Sequence, residues 1–280
     1  MIWRYIPIVN RLVSLLEKHE AKIVALERRV EHTTSHSTPF NVAKRHLTDN
    51  DLNRYVKEWL PRFGQLKFNM DKKMLAYIAH RICLVENTCI GRVAGNIDTI
   101  LLRVLTARSV CSDTLEILEI GTMFGSSIAA IYESCLGLFS NIHMTVIDPL
   151  NGFYEKRLEP LTGATVGRDV FVYNMERMSI AESNYTLIQK LSTDDEAIRQ
   201  AAQRSYDVIL IDGDHSYNGI KSDFLNYHSL AKHGGYIVFD DYQPEYPGVV
   251  NLIDKEVIGL PNLRLVVADA RSAVFEVIAL

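Results

Sequence analysis

From Tyr206 to Tyr242 the chain reads YDVILIDGDHSYNGIKSDFLNYHSLAKHGGYIVFDDY, and this stretch narrows the possible folds more than any other. Val208–Ile211 is a short apolar run rich in β-branched residues, the signature of a strand covered on both faces. Tyr236–Phe239 repeats it, and Gly234-Gly235 just before it is a helix-stop and turn signal. Between them, over 218–232, Ile220, Phe224, Leu225, Tyr227 and Leu230 fall close to helical spacing. Strand, helix and strand at this length predict two parallel neighbours in one sheet.

Parallel neighbours end at the same edge, and in open α/β sheets ligands sit in the crevice there. Asp212, Asp214 and His215 follow the first strand, and Asp240 and Asp241 end the second. Any one of these acids is as well explained as a helix cap or a solvated turn. Together on one rim they repel unless something positive lies between them. A hard divalent ion such as Mg²⁺, which takes carboxylate oxygens and keeps some waters, meets that need.

The rest of the chain sets bounds on this reading. At 280 residues it holds one large domain, or one domain with an appendage, and it buries a core without staples. A net charge of −4 with scattered basic residues excludes a nucleic-acid surface. Cys83, Cys89, Cys111 and Cys135 show no zinc-type spacing, which predicts a reducing, cytoplasmic setting. No apolar run reaches the roughly 18 residues of a membrane span, and the N-terminus lacks a signal-peptide pattern.

Val9, Leu12, Leu16, His19, Ile23, Leu26 and Val30 alternate spacings of three and four, so residues 1–31 read as an amphipathic or coiled-coil helix. The coiled coil predicts a homo-oligomer; docking on the chain's own domain is the alternative. Residues 32–40 are a polar linker. Residues 41–111 carry three helical patterns, DLNRYVKEWL, KKMLAYIAHRICLV and NIDTILLRVLTAR, with Asp71 and Asn96 as caps of the second and third. They are expected to form a layer or lid beside the sheet, with His80, Arg81 and Arg92 open to substrate contact or, as is commoner for such residues, to solvent.

From 112 to 280 strands and helices alternate. Leu115–Ile120, Met144–Ile147 and Tyr185–Gln189 precede the opening pair, an apolar helix spans Ser126–Leu138, and Leu263–Val267 and Ala273–Ile278 close the chain as hairpin-like neighbours. The fold class expected is α/β: a Rossmann-like, seven-stranded, mostly parallel sheet with helices on both faces, preceded by a helical N-terminal region. The insert from Leu150 to about Met178 reads as a lid loop.

After the first strand comes Glu119-Ile-Gly121-Thr-Met-Phe-Gly125. Met123 stands where a dinucleotide fingerprint has glycine, so the pyrophosphate cradle is missing, and Glu119 suits a cationic ligand better than a phosphate. Asp148, ending the next strand, is placed to accept from a ribose diol.

LEIGTMFG, VIDP, IDGDHSY and FDDY together resemble class I S-adenosylmethionine-dependent methyltransferases. They are most similar to the metal-dependent sugar O-methyltransferases of the macrocin and mycinamicin type and their cephalosporin-hydroxylase-like relatives. The resemblance covers residues 112–280. It implies that Glu119, Gly121 and Gly125 line the methionine part of the cofactor, with Ser126 and Asp212 also on it. Asp148 holds the ribose and Ser192 lies near the adenine. Asp212, Asp240 and Asp241 bind Mg²⁺, with Asp240 standing where the sugar enzymes often have Glu, and His215 is the catalytic base.

The activity so implied is Mg²⁺-assisted methyl transfer to a hydroxyl of a sugar or vicinal diol on a larger natural product or glycan. Tyr154, Tyr217 and Tyr242 are open as lining of the acceptor pocket, and Asp214 reads as a structural cap. The alternatives are a catechol-type enzyme acting on small phenolic diols, a nicotinamide-dependent oxidoreductase on a similar sheet, and a non-enzymatic scaffold.

Overall fold

Strands with apolar residues on both faces must be covered twice, and the computed structural model, which describes residues 47–154 and 156–279, shows how. Five strands run parallel: β1 (Thr114–Ile120), β2 (Asn141–Ile147), β3 (Tyr185–Ile188), β4 (Tyr206–Ile211) and β5 (Ala231–Phe239). β6 (Leu263–Asp269) and β7 (Ser272–Val277) form a hairpin, and β7 joins β5 antiparallel. The order across the sheet is β3-β2-β1-β4-β5-β7-β6, the α/β architecture expected from the sequence.

Alternate residues of each strand feed alternate faces. Leu115, Ile117, Met144, Val146, Val208 and Leu210 pack on one side. That side also receives α1 (Asp49–Glu58), α2 (Lys72–Thr88), α3 (Ile97–Arg108), α4 (Ser126–Cys135) and α5 (Arg168–Arg177). Leu118, Ile120, Ile147, Ile209, Ile211 and Phe239 face the other side, covered by α6 (Asp195–Ala201), α7 (Tyr217–Tyr227) and α8 (Pro247–Leu252).

Helix α3 has every residue buried. Ile100, Leu101, Val104 and Leu105 contribute about 1.5–3 kcal/mol each by leaving water. A charged residue on such a helix needs a partner within the protein, and Arg103 is one.

Three readings of local structure change. The 218–232 helix ends at Tyr227, passes through a 3₁₀ turn at His228–Leu230, and β5 starts at Ala231. The two glycines therefore lie inside the strand, where Gly234 takes a φ of +74° and the β4–β5 register shifts between Tyr206 and Val208. The helix from Ser126 stops at Cys135, three residues short of Leu138. The insert is a loop only as far as Gly167; Phe171 and Met175 bury one face of α5. Asp71 caps α2, accepting from the Met74 amide at 2.8 Å.

The heptad at 9–30 and the linker at 32–40 lie outside the described residues. No helix among the described residues is long and apolar enough to cross a membrane. All four cysteines are free.

Candidate active site

The hydrogen-bond ladder continues one residue past the ends of four strands. Asp148 N donates to Ile188 O (3.2 Å), Gly121 N to Ile147 O (2.9 Å), Asp212 N to Ile120 O (2.9 Å) and Asp240 N to Ile211 O (3.0 Å). Asp148, Gly121, Asp212 and Asp240 thereby stand side by side along one sheet edge, although they are far apart in the chain.

At the β1 end, Gly121 has a φ of +80°, and a Cβ there would lie 2.1 Å from the Asp212 carbonyl oxygen. Gly125 (φ +76°) would press a Cβ into the Phe171 ring at 2.7 Å. Only glycine fits either place. Asp148 is committed to this turn: Oδ2 accepts from the amides of Thr122 (2.8 Å) and Met123 (3.1 Å), and Oδ1 from Leu150 (2.7 Å). A carboxylate has about four lone-pair sites, so capacity for a diol remains. Ser126 donates its hydroxyl to Arg92 O at 2.6 Å, which fastens the start of α4 to the preceding loop.

Glu119 is 1% exposed, and neither carboxyl oxygen has a hydrogen-bond partner among the described residues. Burial pushes its pKa up to about 8, with Thr122 and Arg103 pulling the other way. Ser192 takes the Tyr227 phenol on its carbonyl at 2.6 Å. Beside it is buried Asp223, raised to about 6 by burial.

At the β4 and β5 ends, Asp212, His215 and Asp241 each bring a donor atom to within 4.8 Å of the others. His215 Nε2 is 3.6 Å from Asp212 Oδ1 and 3.3 Å from Asp241 Oδ2. Burial alone would lower the imidazole pKa, but Asp212 and Asp241 override it and the net shift is upward. Both carboxyls are raised, first by burial and then by Asp240. Asp241 itself holds a φ of +53°, a left-handed conformation that Asp tolerates better than most residues.

The remaining oxygens of these acids have cationic partners. Arg103 Nη2 reaches Asp212 Oδ2 at 3.0 Å and Asp240 Oδ2 at 2.9 Å, and its side chain is 1% exposed. Arg271 Nη2 holds Asp241 Oδ1 at 2.5 Å. Asp240 Oδ1 takes the Ser272 hydroxyl at 3.2 Å. Asp240, expected beside the other two acids as a metal ligand, thus has Arg103 and Ser272 as its partners.

Tyr154, from the insert, places its phenol 2.9 Å from His215 Nδ1. Tyr246 stacks obliquely on the same imidazole, with centroids 4.7 Å apart. Tyr217 and Tyr242 point elsewhere, their hydroxyls bound to Glu256 and Asp254. Asp214 accepts from the Ser216 amide and hydroxyl and so braces the N-cap of α7. Of the three basic residues left open to substrate, Arg81 pairs with Glu133, Arg92 with Glu159, and His80 is exposed.

Arg103, Arg271 and Tyr246 escape a reading of the sequence. Arg103 alone leaves a trace: a guanidinium in the middle of the apolar run ILLRVL. Nothing local marks the other two.

These residues fit the two groups that the motifs imply. Buried, unpaired Glu119 beside a glycine turn suits a ligand bearing an ammonium group. Asp212 and Asp241 each keep one oxygen free of guanidinium, which matches the one or two carboxylates by which Mg²⁺ is usually held.

The family model described as "Methyltransferase domain" matches residues 118–242. An uncharacterized protein of Acanthamoeba polyphaga mimivirus is 30% identical over 154 residues, 52% of this chain and 62% of that protein. The match therefore spans less than two thirds of the relative's length. Among solved structures, cofactor-bound Rv0187 from MTB is 15% identical, covering 84% of this chain and 99% of that one, with a TM-score of 0.49. CalS11, a TDP-rhamnose 3'-O-methyltransferase of calicheamicin biosynthesis, is 14% identical over 88% of this chain and 93% of its own, with a TM-score of 0.46.

Proposed function

We propose that residues 118–242, which match the methyltransferase-domain model, form a class I S-adenosylmethionine-dependent methyltransferase domain, and that the chain methylates a hydroxyl of a sugar or other vicinal diol on a larger molecule. The observation that carries this reading is the meeting of His215 Nε2 with single oxygens of Asp212 and Asp241 on the rim that also holds the glycine turn and Glu119.

In this reading Glu119, Gly121 and Gly125 hold the methionine end of the cofactor, with Ser126 and Asp212 beside it. Asp148 takes the ribose and Ser192 the adenine side. S-adenosylmethionine, when bound there, would supply a methyl group on a sulfonium sulfur, with S-adenosylhomocysteine as the leaving group. Asp212 and Asp241 are the residues that would hold Mg²⁺, which lowers the pKa of a neighbouring hydroxyl.

The chain's own task is the proton. His215 accepts it on Nε2, which requires Nδ1 to carry the hydrogen and donate to the Tyr154 oxygen. The raised pKa of Tyr154, about 12, keeps that phenol neutral. Tyr154 and Tyr246 wall the imidazole and orient what approaches it. Helices α1–α3 and the insert shape the acceptor pocket. The methyltransferase match leaves the nicotinamide alternative without support.

Calorimetry with S-adenosylhomocysteine, with and without Mg²⁺, tests the cofactor site. Incubation with S-adenosylmethionine and a panel of sugars and catechols, read by mass spectrometry, tests the acceptor class. Methylated sugar products support the proposal. No binding of the demethylated cofactor, or methylation of phenolic diols alone, would overturn it.

A further inference from the structure

Three carboxylates on one buried rim need compensating charge, and two guanidiniums already provide most of it. Arg103 lies on α3, ahead of the residues that the methyltransferase model matches. It is buried, and one nitrogen serves both Asp212 and Asp240. Arg271 serves Asp241. Asp212, Asp240 and Asp241 thus each have a guanidinium of the chain itself beside them. Burying a guanidinium is costly unless it is paired, and burying a lone carboxylate is equally so, so each group here requires the other.

We infer that Arg103 is the resident counter-ion of the rim: it lets the acids assemble without a divalent cation and keeps Asp240 from becoming a ligand. Affinity for a hard cation grows with the number of charged oxygens offered to it. By taking Asp240 and one oxygen of Asp212, Arg103 leaves one oxygen of Asp212 for an ion, beside the one oxygen of Asp241 that Arg271 leaves. It is a positioning residue that sets the strength of ion binding. The inference rests on the reading of Asp212 and Asp241 as the ion's ligands, but not on methyl transfer. Two further facts agree with it. Asp240 spends its other oxygen on Ser272, and neither the Nε nor the Nη1 atom of Arg103 has a partner among the described residues. The guanidinium is therefore placed for the two acids and for little else.

The test uses the full-length protein and Mn²⁺ as the probe ion, with no acceptor present. Calorimetric titration should show weak binding by the wild type and binding at least tenfold tighter by Arg103→Met, which releases Asp240. The wild type as purified should melt at the same temperature with and without EDTA. Arg103→Met should melt lower in EDTA and recover in the ion. In the double variant Arg103→Met/Asp240→Asn, which removes both members of the pair, affinity should return toward wild type. Equal Mn²⁺ affinity in wild type and Arg103→Met, whether measurable or nil, would overturn the inference. So would a wild type that needs the ion to reach its full melting temperature. If Arg103→Met does not fold, the double variant decides: melting that is insensitive to EDTA supports the inference, and a need for Mn²⁺ overturns it. Failure of the methyl-transfer reading would be seen separately, in the acceptor assay with the wild type.

Discussion

Tyr154 and His215 meet at 2.9 Å, phenol oxygen to Nδ1, across 61 residues of chain. The tyrosine holds a φ of +44° to do so, a conformation rarely adopted by bulky residues outside functional sites. Replacing it with Phe keeps the ring and removes the Nδ1 partner. With an accepted diol, kcat should fall on the order of tenfold while KM changes little, and the acidic limb of the pH–rate profile should move to lower pH because the imidazolium loses a stabilising contact. An unchanged profile would remove Tyr154 from the base's surroundings.

His215→Ala removes the base outright. Turnover should drop by roughly 10²–10⁴-fold, the usual worth of a positioned general base. S-adenosylhomocysteine should still bind within a few-fold of wild type, since Glu119 and the glycine turn are untouched. Loss of both properties together would mark His215 as a structural support of the rim.

Gly121→Ala sets a methyl group against the Asp212 carbonyl, a backbone atom that cannot swing aside, and does so at a φ of +80°. The backbone conformation alone costs about 1–3 kcal/mol for a residue with a Cβ. Thermal melting should fall by several degrees, and calorimetry should detect no binding of the demethylated cofactor. A variant that melts and binds like wild type would show that β1 and β4 end farther apart than described.

Stability should decline from mildly acidic to alkaline pH. Glu119 titrates at about 8 in the fold against 4.5 ordinarily, and Asp223 at about 6 against 3.8. In both cases the folded chain keeps a proton that the unfolded chain has released. The stability this confers is whole below the ordinary values and is lost as pH rises through the folded ones. His215, also raised, acts in the same direction above 6.5. Melting of the cofactor-free protein from about pH 5 to about pH 9 should fall steadily, and Glu119→Gln should flatten the upper part of the curve. A wild-type curve that rises with pH would contradict the burial described for Glu119.

The β4–α7–β5 unit is legible because its strands and helix each obey their own period and nothing distant intrudes. The start of β5 is not: Gly234 and Gly235 carry the same breaker signal whether they end a helix or sit at an irregularity inside a strand, and only the pairing of Tyr206 with Ala231 decides. Helix α5 escapes for a similar reason, since RDVFVYNMER has few apolar residues at helical spacing and gains its burial from Gly125 and Tyr185 nearby. At the rim the acids and His215 show in the sequence as residue types at strand ends. Their partners do not. Arg103 comes from 109 residues before Asp212, and Arg271 from 30 residues after Asp241, and no local pattern links either to its acid.

Arg271 belongs to the two-residue connection between β6 and β7, where Ala270 and Arg271 both have positive φ (49° and 62°). Tips of hairpins are where a lineage ordinarily lengthens its chain at little cost. Here the tip is held from both sides, by Thr99 on the Ala270 carbonyl and by the Tyr242 amide on that of Arg271. One inserted residue would draw a positive charge away from Asp241. That corner is therefore fixed in length by the charge it has to deliver, and a longer turn there would be felt at Asp241 before it was felt anywhere else.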